Sequence, residues 1–256
     1  MGSVGDDEQT ITVLITGFAP FKKDYPVNPS WEIARSLPTH LPPLRAKVPP
    51  STTTTTTNSN NTRPTLPPVR LLVHPAPIRV NYTTVRDLVP QLWDLDGTSY
   101  PDRPKIDLAI HVGMAGPRLF YSIERRGHRD GYVMGGVDGE VLEGGTSAEW
   151  EGMPGALESD FDLGDVLGRW RGYSPKHLDL RISEDAGHYL CDFIYFSSLA
   201  HLEKAGERRN VLFLHVPSDA SEHSIATGRE LLLQLVRSVV ESEMVRREKG
   251  EAEGVS

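Results

Sequence analysis

Three side chains in this sequence have the chemistry of nucleophilic catalysis at positions that an alternating α/β chain can bring together. The single cysteine, Cys191, follows Ser183-Glu184-Asp185-Ala186-Gly187 and lies just inside a helix predicted from about Gly187 to Lys204. Unpaired N–H groups and the helix dipole at that end favour a thiolate, the form that attacks a carbonyl carbon. His215 ends a predicted strand, Val211-Leu212-Phe213-Leu214-His215-Val216, and in an open α/β sheet the strand ends and helix starts meet at one crevice. Glu124 follows another predicted strand, which ends at Gly113, by a short loop, so it can reach the same crevice and fix an imidazole tautomer. Each also has a plain reading. Cys191, flanked by Leu190 and Phe193, fits as core filler, and His215 fits as a hydrogen-bonded core histidine. Glu124 beside Arg125 and Arg126 fits as a solvated loop charge, and spacing alone leaves both sets of readings open.

The elements that must position these residues show as β-branched runs alternating with helical patterns. Thr12-Val13-Leu14-Ile15 reads as a buried first strand running into the loop TGFAPF, and Asn28-Pro29-Ser30 reads as a helix start leading into Trp31 to Leu37. Arg70 to His74 and Ile106 to Val112 are predicted strands, separated by an amphipathic helix from about Thr83 to Trp93. A strand near Leu178 to Ile182, the helix carrying Cys191, the strand carrying His215 and a long helix from about Ser221 to Arg247 complete the series. The expected class is α/β: a three-layer α/β/α sandwich with a twisted, mostly parallel (mixed) sheet and helices on both faces.

Length and apolar content suit one core, so residues 1–256 are expected to form a single domain with a C-terminal helix and tail. Two stretches interrupt it. A Pro/Thr/Ser insertion at about 40–68 cannot bury enough apolar surface to order itself, and a long Gly-rich, acidic loop insertion at about 133–175 holds one helical candidate near Leu163 to Trp170.

Composition excludes several functions. A net charge of -8 with only short basic clusters argues against nucleic-acid binding, which draws most of its affinity from clustered Lys and Arg. The first residues, MGSVGDDEQT, lack the basic start and apolar run of a secretory signal, and no stretch is long enough to span a bilayer, so a soluble cytoplasmic protein without a membrane partner is expected. One Cys forms neither an internal disulfide nor a multi-thiolate zinc site, and the nine His residues lack metal-ligand spacing, so no metal is expected. G-x-S-x-G, H-E-x-x-H and phosphate-loop patterns are absent.

Three segments together resemble the pyroglutamyl peptidase I family of cysteine peptidases (pyrrolidone-carboxylate peptidases) in its eukaryotic type. Thr16-Gly17-Phe18-Ala19-Pro20-Phe21 with Val27-Asn28-Pro29-Ser30-Trp31 is similar to the family's T-G-F-x-P-F and V-N-x-S-W signature. Glu124-Arg125-Arg126-Gly127-His128-Arg129-Asp130-Gly131-Tyr132 is similar to its E-x-x-G-H-x-x-G-Y segment, which bears the catalytic acid. Ser183 to Phe193 and Phe213 to Pro217 resemble the segments bearing nucleophile and base, although Ser218-Asp219 departs from the usual continuation.

The resemblance implies a peptidase that removes N-terminal pyroglutamate through an acyl-enzyme, with Cys191, His215 and Glu124 as catalytic residues. It implies Phe18 and Phe21 as apolar walls around the lactam, Asn28 as its hydrogen-bonding partner and backbone groups near Met114 as a supplement. The same residues read on their own are two core aromatics and a helix cap. Peptides beginning with pyroglutamate are the implied partners, no cofactor is implied, and homo-oligomerisation stays open. Cys191's backbone N–H is the expected oxyanion donor; Arg118 is a candidate for the second, its plain reading being an exposed loop arginine. Two alternative functions are a catalytically impaired pyroglutamyl-peptide-binding homologue and a nucleoside phosphorylase-like enzyme.

Overall fold

A computed structural model describes residues 10–21, 23–44, 66–95, 97–98, 102–116 and 118–254. In chain order the elements are β1 (Ile11–Gly17), α1 (Pro29–Arg35), β2 (Val69–Val73), α2 (Tyr82–Trp93), β3 (Leu108–Met114), β4 (Tyr121–Glu124), β5 (Arg126–His128), β6 (Ala156–Glu158), α3 (Leu163–Tyr173), β7 (Leu180–Ser183), α4 (Leu190–Lys204), β8 (Val211–Val216) and α5 (Glu222–Gly254). Six strands form one sheet in the order β2-β1-β3-β8-β4-β7, while β5 and β6 pair separately. The first four strands of that order are parallel. At β8 the direction reverses, because β4 runs antiparallel to β8 and parallel to β7. The expected mixed α/β sandwich is the observed fold.

Strand alternation sorts the side chains into two cores. Leu108, Ile110, Val112 and Met114 of β3, with Leu212, Leu214 and Val216 of β8, join a cluster that includes Ile33 of α1, Val166 and Trp170 of α3 and Leu235 and Val239 of α5. Ala109 and Phe213 face the other way, into a cluster with Val85 and Val89 of α2 and Phe193, Phe196 and Ala200 of α4. One layer of the sandwich is thus α1, α3 and α5, and the other is α2 and α4. Every residue of β3 and β8 is buried, as covering both faces of a sheet requires.

Where the sequence showed a loop before Glu124, the structure has β4. Its Tyr121-Ser122-Ile123-Glu124 alternates apolar and polar, a strand pattern too short to stand out. Most of the Pro/Thr/Ser insertion, residues 45–65, lies outside the described residues. Its flanks are tied to β2: Leu41 N–H donates to Val69 O (2.9 Å) and Leu71 N–H to Thr39 O (2.8 Å). The Gly-rich 133–175 stretch contains two short 3-10 turns, β6 and α3, because a few large apolar side chains anchor it; Trp150, Leu157 and Phe161 are all buried. Among the described residues, no helix is long and apolar enough to cross a membrane.

Candidate active site

His215 is the second-last residue of β8 and Glu124 the last of β4. The antiparallel register sets His215 opposite Ser122, so Glu124 lies two residues further along, on the same face of the sheet. His215 Nδ1 and Glu124 Oε1 are 2.8 Å apart, and both side chains are buried. Ser122 Oγ donates to the same carboxylate oxygen at 3.0 Å. Burial pushes the Glu124 carboxyl up, but the hydrogen bond and charge of His215, with Ser183 and Arg118, outweigh it and hold the group below its ordinary range. Glu124 is a buried carboxylate in a strand, and the solvated-loop reading of it fails on burial alone.

Cys191 is the second residue of α4 and is partly buried against the α2/α4 core. Its sulfur lies over the backbone of β3 at Gly113: a Cβ built at that glycine would come within 2.8 Å of Cys191 Sγ and 2.6 Å of the Phe213 ring. Gly113 is the register partner of His215, and the Phe213 and His215 rings stand 4.7 Å apart on the same face. Cys191, His215 and Glu124 therefore share one face of the sheet, near the carboxyl ends of β3 and β8, where the short antiparallel β4 pairs with β8.

The surroundings of the sulfur act on its protonation. Burial, followed by the negative charges of Glu124 and Asp192, pushes the thiol up to about 12, against a smaller opposing effect of Arg118. Burial is the largest of these influences, and it favours the neutral thiol over the thiolate.

Arg118, whose plain reading was an exposed loop residue, is mostly buried at the back of the carboxylate. Its Nη1 donates to Glu124 Oε1 (2.5 Å) and Ser122 Oγ (2.8 Å), while Nη2 donates to the Asp185 carbonyl (2.8 Å) just upstream of α4. It links β4 to the turn that leads to Cys191. These bonds engage it with Glu124 and with the turn before α4. Sequence spacing carries no signal for this link, since it joins residues 118 and 185 through a carbonyl.

The four residues expected around the lactam are placed differently from one another. Phe18 is buried at the end of β1, bridged to Ile78, and belongs to the same core as Leu190 and Phe193. Phe21 is partly buried, with its ring 6.1 Å from that of Tyr189, the residue that caps α4. Asn28 is buried and serves as the α1 N-cap: its Oδ1 accepts from Ser30 N–H (3.1 Å) and Ser30 Oγ–H (2.8 Å), and its Nδ2 donates to Ala19 O (3.1 Å). It holds the 18–21 loop against α1. Met114 turns its side chain to the opposite core, so only its backbone is on offer at the end of β3. Among the described residues, one group of His and Asp side chains is close enough to share a metal ion, namely His128, Asp185 and His188; it is separate from the triad.

No family model matches the chain. It is 33% identical over 145 residues to pyroglutamyl-peptidase 1 of Rattus norvegicus, an alignment that spans 57% of this chain and 62% of the rat protein, under two thirds of its length. It is 24% identical over 250 residues to the pyrrolidone-carboxylate peptidase of Bacillus cereus, covering 89% of this chain and 94% of that protein. Among solved structures it superposes on the pyrrolidone carboxyl peptidase of Thermus thermophilus with a TM-score of 0.57 at 25% identity, covering 90% of this chain and 99% of the other. This chain is a homologue of the proteins named pyroglutamyl-peptidase 1 and pyrrolidone-carboxylate peptidase, and its sheet and helices follow their fold.

Proposed function

We propose that this protein is a cysteine peptidase that hydrolyses the amide bond after an N-terminal pyroglutamyl residue, with Cys191 as nucleophile, His215 as general base and then acid, and Glu124 as the orienting carboxylate. The observation that carries the reading is that Cys191 Sγ packs on Gly113, the strand partner of His215, while His215 Nδ1 is held by Glu124. With Nδ1 engaged, Nε2 is the nitrogen left for the thiol.

His215 takes the proton from Cys191 as sulfur bonds to the pyroglutamyl carbonyl carbon, since a thiol pushed up by burial does not ionise beforehand. The tetrahedral oxyanion is met by the backbone N–H of Cys191, one of the first-turn N–H groups that no helical carbonyl satisfies. The imidazolium, stabilised by Glu124, gives its proton to the departing amine. Water then cleaves the thioester with the same imidazole as base.

Phe18 and Phe21 form the apolar wall for a flat, uncharged lactam, and Asn28 shapes their loop. The substrates are peptides beginning with pyroglutamate. The test is hydrolysis of pyroglutamyl, prolyl and glutamyl fluorogenic amides before and after thiol alkylation. Strong preference for the pyroglutamyl amide, abolished by alkylation, is expected; equal turnover by the alkylated protein would refute the nucleophile, and equal turnover of all three amides would refute the pocket.

A further inference from the structure

A second cluster lies beside the start of α4, built from two segments that are far apart in sequence. His128 ends β5, while Asp185 and His188 belong to the turn between β7 and α4. One ring nitrogen of each histidine and one carboxylate oxygen of Asp185 lie within 4.8 Å of one another. The two rings have centroids 5.1 Å apart and are inclined by 53°.

What marks this group as more than a surface ion pair is the way both rings are held from behind. His128 Nδ1 lies 3.2 Å from Oδ2 of the buried Asp192, whose Oδ1 accepts the His128 backbone N–H at 3.0 Å. His188 Nδ1 lies 3.1 Å from the Asp130 carbonyl oxygen. A carbonyl and a carboxylate only accept, so Nδ1 carries a proton in each ring, and in the neutral imidazole Nε2 presents the lone pair that a metal ion would take. Metal-binding imidazoles are oriented in this way, with a carboxylate or backbone carbonyl on the second nitrogen.

The seat for His188 is also built into the backbone. Gly131 has φ +99°, and a Cβ there would approach His188 Nδ1 to 2.8 Å. Asp185 Oδ1 accepts the Gly187 N–H at 2.8 Å, which leaves its second oxygen for a ligand role.

We propose that His128, His188 and Asp185 form a binding site for a zinc-class divalent ion, with Asp192 and the Asp130 carbonyl orienting the two imidazoles. Two imidazoles and one carboxylate suit such an ion, with water in the fourth tetrahedral position. Ligand atoms on one tetrahedral ion sit roughly 3.4 Å apart, a tightening that the exposed His188 and Asp185 can supply. The ion would tie β5 to the turn that leads into α4. Sequence spacing hid this arrangement because its ligands come from either side of a long intervening stretch.

The site does not depend on the peptidase reading, and its test does not use activity. Cobalt(II) is titrated into the full chain carrying Cys191→Ser, which removes the thiol as a ligand, and the visible d–d absorption is followed. One cobalt per chain is expected, with affinity at least tenfold weaker in Cys191→Ser combined with either His188→Gln or Asp185→Asn, both at exposed positions. Zinc should raise the melting temperature of the Cys191→Ser protein and leave that of the two double variants unchanged. Absence of d–d bands, or equal affinity in all three proteins, would overturn the site.

Discussion

His111 and His215 stand on neighbouring parallel strands, face the same side of the sheet and are both buried, yet their surroundings differ. His111 is held between two hydroxyls, Thr16 Oγ1 at 2.8 Å and Ser198 Oγ at 2.9 Å. Burial, with a smaller effect of His74, pushes it down to about 3, so it is neutral at physiological pH. His215 has a carboxylate at 2.8 Å on Nδ1, with Arg118 and Ser122 on the same carboxylate oxygen. Burial alone makes a histidine a structural hydrogen-bonding group. A buried anion behind the ring is the arrangement that the general-base role proposed for His215 requires.

The sharpest break in that contrast is to remove the base. His215→Gln is expected to lower kcat for the pyroglutamyl amide by about 10⁴-fold, the upper end of general acid–base contributions. Converting the His215 environment into one resembling that of His111 is the next step down. Glu124→Gln keeps the shape and a hydrogen bond but removes the charge, and a fall in kcat on the order of 10²–10⁴-fold is expected, with KM little changed. Steady-state kinetics on the purified variants checks both, and a Glu124→Gln enzyme with full kcat would remove the carboxylate from the mechanism.

The contrast also shows what the sequence could and could not reveal. Strands carrying Val13-Leu14-Ile15 and Val211 to Val216 read clearly because β-branched and apolar runs buried on both faces leave a strong signal. The order of those strands, and therefore the meeting of residues 124, 191 and 215, is tertiary information, and motif resemblance supplied it where spacing did not. His111 and His215 look alike in sequence, each within an apolar run, because their differing partners come from Ser198 on one side and Glu124 on the other. The strand holding Glu124 has only four residues, too few for its alternation to distinguish it from a loop. Arg118 shows the same limit, since its bond to the Asp185 carbonyl links two segments that no periodicity connects.

Arg118 offers a smaller perturbation of the same pair. Arg118→Leu removes one of the influences that hold Glu124 below its ordinary range, so the carboxylate should protonate at higher pH. The acidic limb of kcat/KM is expected to move up in pH, with about a tenfold loss at neutral pH, the value of a hydrogen bond to a charged group being about 1.5–3 kcal/mol. Arg118→Lys, which keeps the positive charge without the fork, should restore the limb more fully than the rate. A limb that does not move in Arg118→Leu would mean that Arg118 only supports the fold.

The least expected effect on rate, and the clearest separation of the two histidines, comes from His111. Its folded value lies below its unfolded value of 6.5, so the unfolded chain binds the extra proton between about 6.5 and about 3. Its contribution to stability is therefore complete above 6.5 and is lost as pH falls toward 3, by up to about 1.4 kcal/mol per pH unit. Glu124, held below 4.5, contributes stability that is lost only as pH falls below that value. Urea unfolding of the wild type from pH 7 to pH 5 samples the His111 window alone of these two. His111→Gln should flatten the pH dependence over that range while kcat stays within about threefold, since no reacting group touches it. An unchanged slope would mean that His111 takes up its proton as readily in the folded protein as in the unfolded chain, and the hydroxyl pair would then have to be holding an imidazolium that two such neutral partners are poorly suited to hold.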